Sequence, residues 1–149
     1  MAVFLLHAYL IVVFGDIPAV SMIMHMKVHN GCSPCCMCEI QGIHILSSPV
    51  TTHYVPLHHK NFPDSQHQYD ATVLPLQNHT LFMKQAWEVQ SALTDAASEQ
   101  LATKYGIKCL PLLSALSSLS FPVSFSYDFM HHIWANLIPN LILLWTGHF

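Results

Sequence analysis

The sequence predicts an α/β fold, and three observations carry that expectation. A continuous apolar, β-branched run from Tyr9 to Phe14 stops at Gly15-Asp16, the pattern of a buried strand in a parallel or mixed sheet. A short stretch rich in Met and Ile follows at once. Asp16 is placed to cap it and Pro18 falls in its first turn, so a helix is expected over Ala19–Met26. Later, Phe82, Ala86, Val89, Leu93, Ala97 and Leu101 recur at the three-and-four spacing of one buried helical face.

Between these units the chain changes character. Gly31–Glu39 reads as a cysteine-rich loop. Ile40–Asp70, interrupted by Pro49, Pro56 and Pro63, reads as an irregular insertion with a short strand near Thr52–Val55. The long helix is expected to run from Thr80, as its N-cap, to Tyr105, with Gly106 as the glycine that ends it. A Leu/Ser/Pro-rich connector, Leu110–Phe125, leads to a second helix capped by Asp128. Pro139 should kink or end that helix, because an interior proline costs about 3 kcal/mol. The chain thus divides into a strand–helix unit (1–28), a Cys/His/Pro-rich insertion (29–79) and a helical part (80–149).

Composition narrows the function classes. The 149 residues are 52% hydrophobic and only 9% charged, against roughly 25% charged in an ordinary soluble domain. Such a surface suits a piece of a larger protein better than a free-standing domain. The five basic residues are all lysines, and the formal net charge is −3. Gripping duplex DNA through about 6–10 phosphates needs a clustered basic face, so weak or no DNA binding by this chain alone is expected. The apolar start, Met1–Gly15, has no preceding Lys or Arg and no clear cleavage site after it, so a secreted protein is not expected. Leu137–Trp145 falls short of the roughly 20 residues of a membrane helix, so no membrane partner is expected either.

Three constellations could carry chemistry. Asp16, at the end of a buried strand, is the type of group that presents a carboxylate to a divalent cation. Two-metal phosphoryl transfer needs two or three such carboxylates around ions about 3.5–4 Å apart, and a helix cap is the plainer role for one alone. Cys35 and Cys38 form a C-x-x-C pair able to fill two corners of a zinc tetrahedron. Four of the five cysteines fall within seven residues, which favours a metal site over a disulfide framework. His29, six residues before the pair, is a further candidate ligand. His25, Cys32, His44, His131 and His132 are also open. Asp128 and His131, at i and i+3, would share one face of an α-helix.

The order of these elements matters more than any one of them. Phe14-Gly-Asp16-Ile-Pro-Ala, Ser33-Pro-Cys35-Cys-Met-Cys38, Tyr54-Val-Pro-Leu57, Tyr105-Gly-Ile-Lys108 and Tyr127-Asp128-Phe-Met-His131 together resemble fungal CACTA-like (En/Spm-type) DNA transposases and the related Kyakuja-Dileera-Zisupton group. The resemblance runs from about Leu5 to Phe149. It implies an incomplete ribonuclease H-like core, nuclear localisation, and an ancestral cleavage and strand transfer of DNA using magnesium or manganese. Asp16 matches the aspartate of the family's G-D-x-P-A segment. Cys35 and Cys38 match its zinc pair, and Asp128 and His131 match its D-x-x-H motif. The family's other acidic residues would lie upstream and beyond Phe149, so catalysis by this chain alone is not expected. Cys36 stands where a basic residue is usual and Ala135 where Glu is frequent; Pro139 is also a departure. Two other readings remain: a domesticated zinc-binding interaction protein without catalysis, and a small secreted or membrane-associated protein.

Overall fold

The fold is that of a computed structural model, which describes residues 5, 7–27, 31–44, 53–54 and 69–148; the side chains of residues 44, 53, 54, 131 and 132 lie outside this set. The elements are β1 (Val13–Gly15), α1 (Ile17–Ile23), β2 (Ile43–His44), β3 (His53–Tyr54), α2 (His79–Gln90) and α3 (Asp95–Tyr105). After them come a 3₁₀ turn (Leu112–Ala115), β4 (Phe125–Tyr127), a π-helical segment (Met130–Leu137) and α4 (Ile138–Trp145). The chain is mixed α/β, as expected. β1 pairs in parallel with β4, Val13 opposite Phe125 and Gly15 opposite Tyr127. β2 and β3 form a separate antiparallel pair near the strand expected at Thr52–Val55.

β1 is shorter than its apolar run. Only Val13–Gly15 finds a partner, because β4 offers three residues; Tyr9, Leu10, Ile11 and Val12 stay exposed ahead of it. Asp16 caps α1 as expected, its Oδ1 accepting the Ala19 N–H at 2.7 Å, and Pro18 sits in the first turn. The helix begins two residues earlier than expected and stops at Met24. The chain then turns through His25, whose φ of +53° lies in the left-handed region.

The single helix expected over Thr80–Tyr105 is two helices. Asn78, not Thr80, caps α2 by accepting the Leu81 N–H at 2.9 Å. At Ser91 the hydroxyl donates back to the Trp87 carbonyl at 2.7 Å, and Thr94 caps α3 by accepting from Ala97. Short polar side chains offer the backbone these local alternatives and so break a helix that apolar periodicity alone would continue. Leu93, expected on the buried face, is fully exposed in the break, while Ala102 joins the core. Gly106 ends α3 as expected, with φ +71°. A Cβ there would lie 2.1 Å from the Ser33 carbonyl oxygen, so glycine is required by contact as well as by conformation.

α2 and α3 pack on each other, and the core gathers Val20 and Met24 from the first helical unit, Phe82 and Ala86 from α2, and Ile107, Leu119, Phe121 and Phe125 from the later chain. Phe121 stacks on Phe82 with centroids 5.1 Å apart and lies 4.5 Å from Phe125. Pro139 does not end the last helix. The Ile138 N–H donates to the Ile133 carbonyl in an i→i−5 bond, and α-helical pairing restarts at Ile138, so the proline falls in a first turn where its missing N–H is no loss. α4 contributes no buried residue, and Trp134, Ile142, Leu144 and Trp145 are exposed. Among the described residues, no helix is long and apolar enough to cross a membrane.

Candidate functional site

Parallel pairing sends both strands of the β1–β4 sheet the same way, so their carboxyl ends lie together. With Gly15 opposite Tyr127, the next residue on each strand is an aspartate: Asp16 and Asp128. The Asp128 N–H donates to the Gly15 carbonyl at 2.7 Å and extends the ladder by one step. A groove of about 530 Å³ is lined by Gly15, Tyr127, Asp128 and Phe129, and another of about 410 Å³ by Asp16, Ile17, Pro18 and Asn136. Nothing in the sequence singles out Asn136; the π-helical segment after β4 brings it to the groove that Asp16 lines.

Both aspartates also do local work. Asp16 caps α1, and Asp128 Oδ1 accepts the Met130 N–H at 2.8 Å. A carboxylate has two oxygens and several lone pairs, so capping and cation binding can coexist on one group. Asp128 precedes the π-helical segment Met130–Leu137, in which His131 lies. The His131 side chain itself lies outside the described residues.

The cysteine-rich loop is anchored at both ends. The Cys32 N–H donates to the Thr103 carbonyl at 2.7 Å, and Gln77 N–H to Met37 O at 2.9 Å. Cys35 and Cys38 are brought together, their thiols in hydrogen-bond contact, on the wall of a small cavity of about 100 Å³ that Ser33, Glu39 and Gln77 also line. Burial pushes the Cys38 thiol up to about 11, helped by the hydrogen bond it donates to Cys35 and by the charges of Cys35 and Cys36. Gln77 Oε1, buried on this wall, has no hydrogen-bond partner among the described residues. An orphaned buried acceptor beside two thiols fits a cation or a polar occupant better than an empty space.

The rest of the expected zinc set does not assemble. His29 lies outside the described residues, as do the side chains of His44, His131 and His132. His25 is turned instead toward Cys109, its Nδ1 2.6 Å from the sulfur. Cys32 opens on a different groove with Glu99 and Thr103. Among the described residues, no group of three or more His, Cys, Asp or Glu side chains is placed to hold a metal ion.

Two contacts were invisible in the sequence. Cys36 points away from its neighbours into the core, where the Tyr127 hydroxyl hydrogen-bonds its thiol. Burial raises both groups, the tyrosine far above its ordinary range and the thiol despite the partly offsetting Tyr127 bond. The contact ties the cysteine-rich loop to β4 one residue before Asp128. The other is the His25–Cys109 pair, joined across 84 residues. Comparison with protein-family models, with curated proteins and with solved structures finds no match for this chain.

Proposed function

We propose that this chain is a fragment of a DNA transposase catalytic region with an incomplete ribonuclease H-like core, inactive by itself. The observation that carries the reading is the placement of Asp16 and Asp128 at the carboxyl ends of two paired parallel strands. Metal-assisted phosphodiester chemistry needs carboxylates converging at such an edge, where a divalent ion stabilises the attacking and leaving oxygens. Asp16 and Asp128 would supply ligand oxygens, and Asn136 lines the groove beside Asp16. The resemblance expects further acidic residues beside Asp16 to complete the site, so no strand cleavage is assigned to this chain alone. A parallel pair of two strands, with Phe14 71% exposed, also supports the fragment reading, because parallel sheets are ordinarily covered on both faces.

Within the same proposal, Cys35 and Cys38 are two ligands of a structural zinc, and His29 is the candidate third. Such an ion would cross-link the cysteine-rich loop and add to folding. The resemblance also places the full-length ancestor in the nucleus, acting on DNA.

Manganese titration followed by nuclear magnetic resonance tests the carboxylate edge. Paramagnetic broadening at millimolar Mn²⁺ should centre on the amides of 15–17 and 127–129 and disappear in Asp16→Asn. Broadening that centres elsewhere, or that survives both Asp16→Asn and Asp128→Asn, would sink the proposal.

A further inference from the structure

The contact between Cys109 and His25 is fixed by backbone pairing rather than by chance proximity of two loops. Met26 and Ile107 form an antiparallel bridge. On either side of it the Lys108 N–H donates to the His25 carbonyl at 2.6 Å and the Lys27 N–H to the Gly106 carbonyl at 2.7 Å. Cys109, the next residue along, is thereby carried to the histidine ring, with Sγ and Nδ1 2.6 Å apart. The left-handed backbone at His25, φ +53°, is the turn from which its side chain meets Cys109. Cys109 is half-buried. The pair lies apart from the grooves that hold Asp16, Asp128, Cys35 and Cys38, which other residues line.

We propose that Cys109 is a base-assisted nucleophilic thiol, a modification site for small soft electrophiles, with His25 as the base. A thiol within hydrogen-bond reach of an imidazole is the arrangement that activates cysteine nucleophiles. With iodoacetamide the new sulfur–carbon bond forms as the carbon–iodine bond breaks. Iodide leaves with the bonding pair, and the thiol proton passes to His25 Nδ1 and on to solvent. The site is separate from the Cys35–Cys38 cavity and independent of the transposase reading.

The test alkylates the full chain with iodoacetamide and follows each cysteine by mass spectrometry, folded and in urea. A half-buried thiol that merely packs on a histidine reacts more slowly folded than unfolded, because access is restricted. Cys109 should instead react at least about tenfold faster in the folded chain, a conservative figure beside the roughly 10²–10⁴ of well-aligned general-base assistance. His25→Asn removes the base while suiting the left-handed turn, since Asn tolerates that conformation. With an unchanged circular dichroism spectrum, it should bring the folded rate below the urea rate. A wild-type folded rate at or below the urea rate overturns the proposal, as does a folded His25→Asn chain that alkylates as fast as wild type. If His25→Asn does not fold, the wild-type folded-to-unfolded ratio decides alone.

Discussion

Asp16 carries two assignments, helix cap and cation ligand, and substitution can separate them. Its Oδ1 accepts the Ala19 N–H at 2.7 Å, and its backbone is extended (φ −66°, ψ +167°), the geometry of an N-cap. Asp16→Ala removes that acceptor and leaves an N–H of the first turn of α1 without it, a loss of about 1 kcal/mol. α1 holds Val20 in the core and leads into Met24, so fraying of its first turn is felt in the global transition. For a chain of this length the loss corresponds to a fall in Tm of about 2–4 °C. Asn caps as well as Asp, so Asp16→Asn should stay within about 0.5 kcal/mol of wild type while removing the negative charge a divalent ion requires. Urea unfolding followed by far-ultraviolet circular dichroism measures both. If Asp16→Ala is as stable as wild type, or Asp16→Asn as damaging as Asp16→Ala, the capping geometry does not matter energetically and the separation of roles collapses.

Other outcomes follow from the same structure. Phe121→Ala, which deletes a fully buried ring packed between Phe82 and Phe125, should cost about 3–5 kcal/mol, whereas Leu93→Ala, fully exposed, should change urea stability by no more than about 0.5 kcal/mol. The refolded chain should hold about one zinc by elemental analysis, lost in Cys35→Ser and in Cys38→Ser but kept in Cys109→Ser; zinc retained in the Cys35→Ser/Cys38→Ser double variant would exclude the assignment. In the metal-free protein, Cys38 keeps its proton up to about 11 when folded but releases it near the ordinary 9.0 when unfolded, so the unfolded state binds fewer protons and stability should fall as pH rises through 9 to 11; a flat profile there would contradict the buried thiol. Duplex DNA binding at physiological salt should be weaker than the roughly 10⁻⁴–10⁻⁶ M of non-specific binders, as fluorescence anisotropy would show.

The parts of this fold that were legible in advance are those decided by local chemistry. The Asp16 cap, Pro18 in the first turn and Gly106 at the end of α3 depend on neighbours a few residues away, and each was readable from spacing. The break at Ser91–Thr94 was also local, yet apolar periodicity concealed it: the three-and-four pattern runs on through Leu93, while the hydroxyls of Ser91 and Thr94 settle the outcome. The candidate site was legible as residue types but not as an arrangement. Nothing about Asp16 or Asp128 alone foretells that a parallel register sets them side by side. By residue type alone Cys36 is indistinguishable from its neighbours, and only the fold sets Tyr127 against it; likewise only the Met26–Ile107 bridge brings Cys109 to His25.

The register of β1 on β4 also has a consequence for the order of events during synthesis. Val13 waits for Phe125, on the order of a hundred residues later, and closing so long a loop is a slow step that short-range contacts cannot replace. Until β4 leaves the ribosome, Val13–Gly15 lacks the strand it pairs with, although α2 and α3 can already meet. A nascent chain arrested between α3 and β4 should therefore contain a helical pair and an unpaired first strand, following the Tyr9–Val12 stretch that stays exposed even in the finished fold. The edge that gathers the two aspartates is thus among the last features of this chain to come into being.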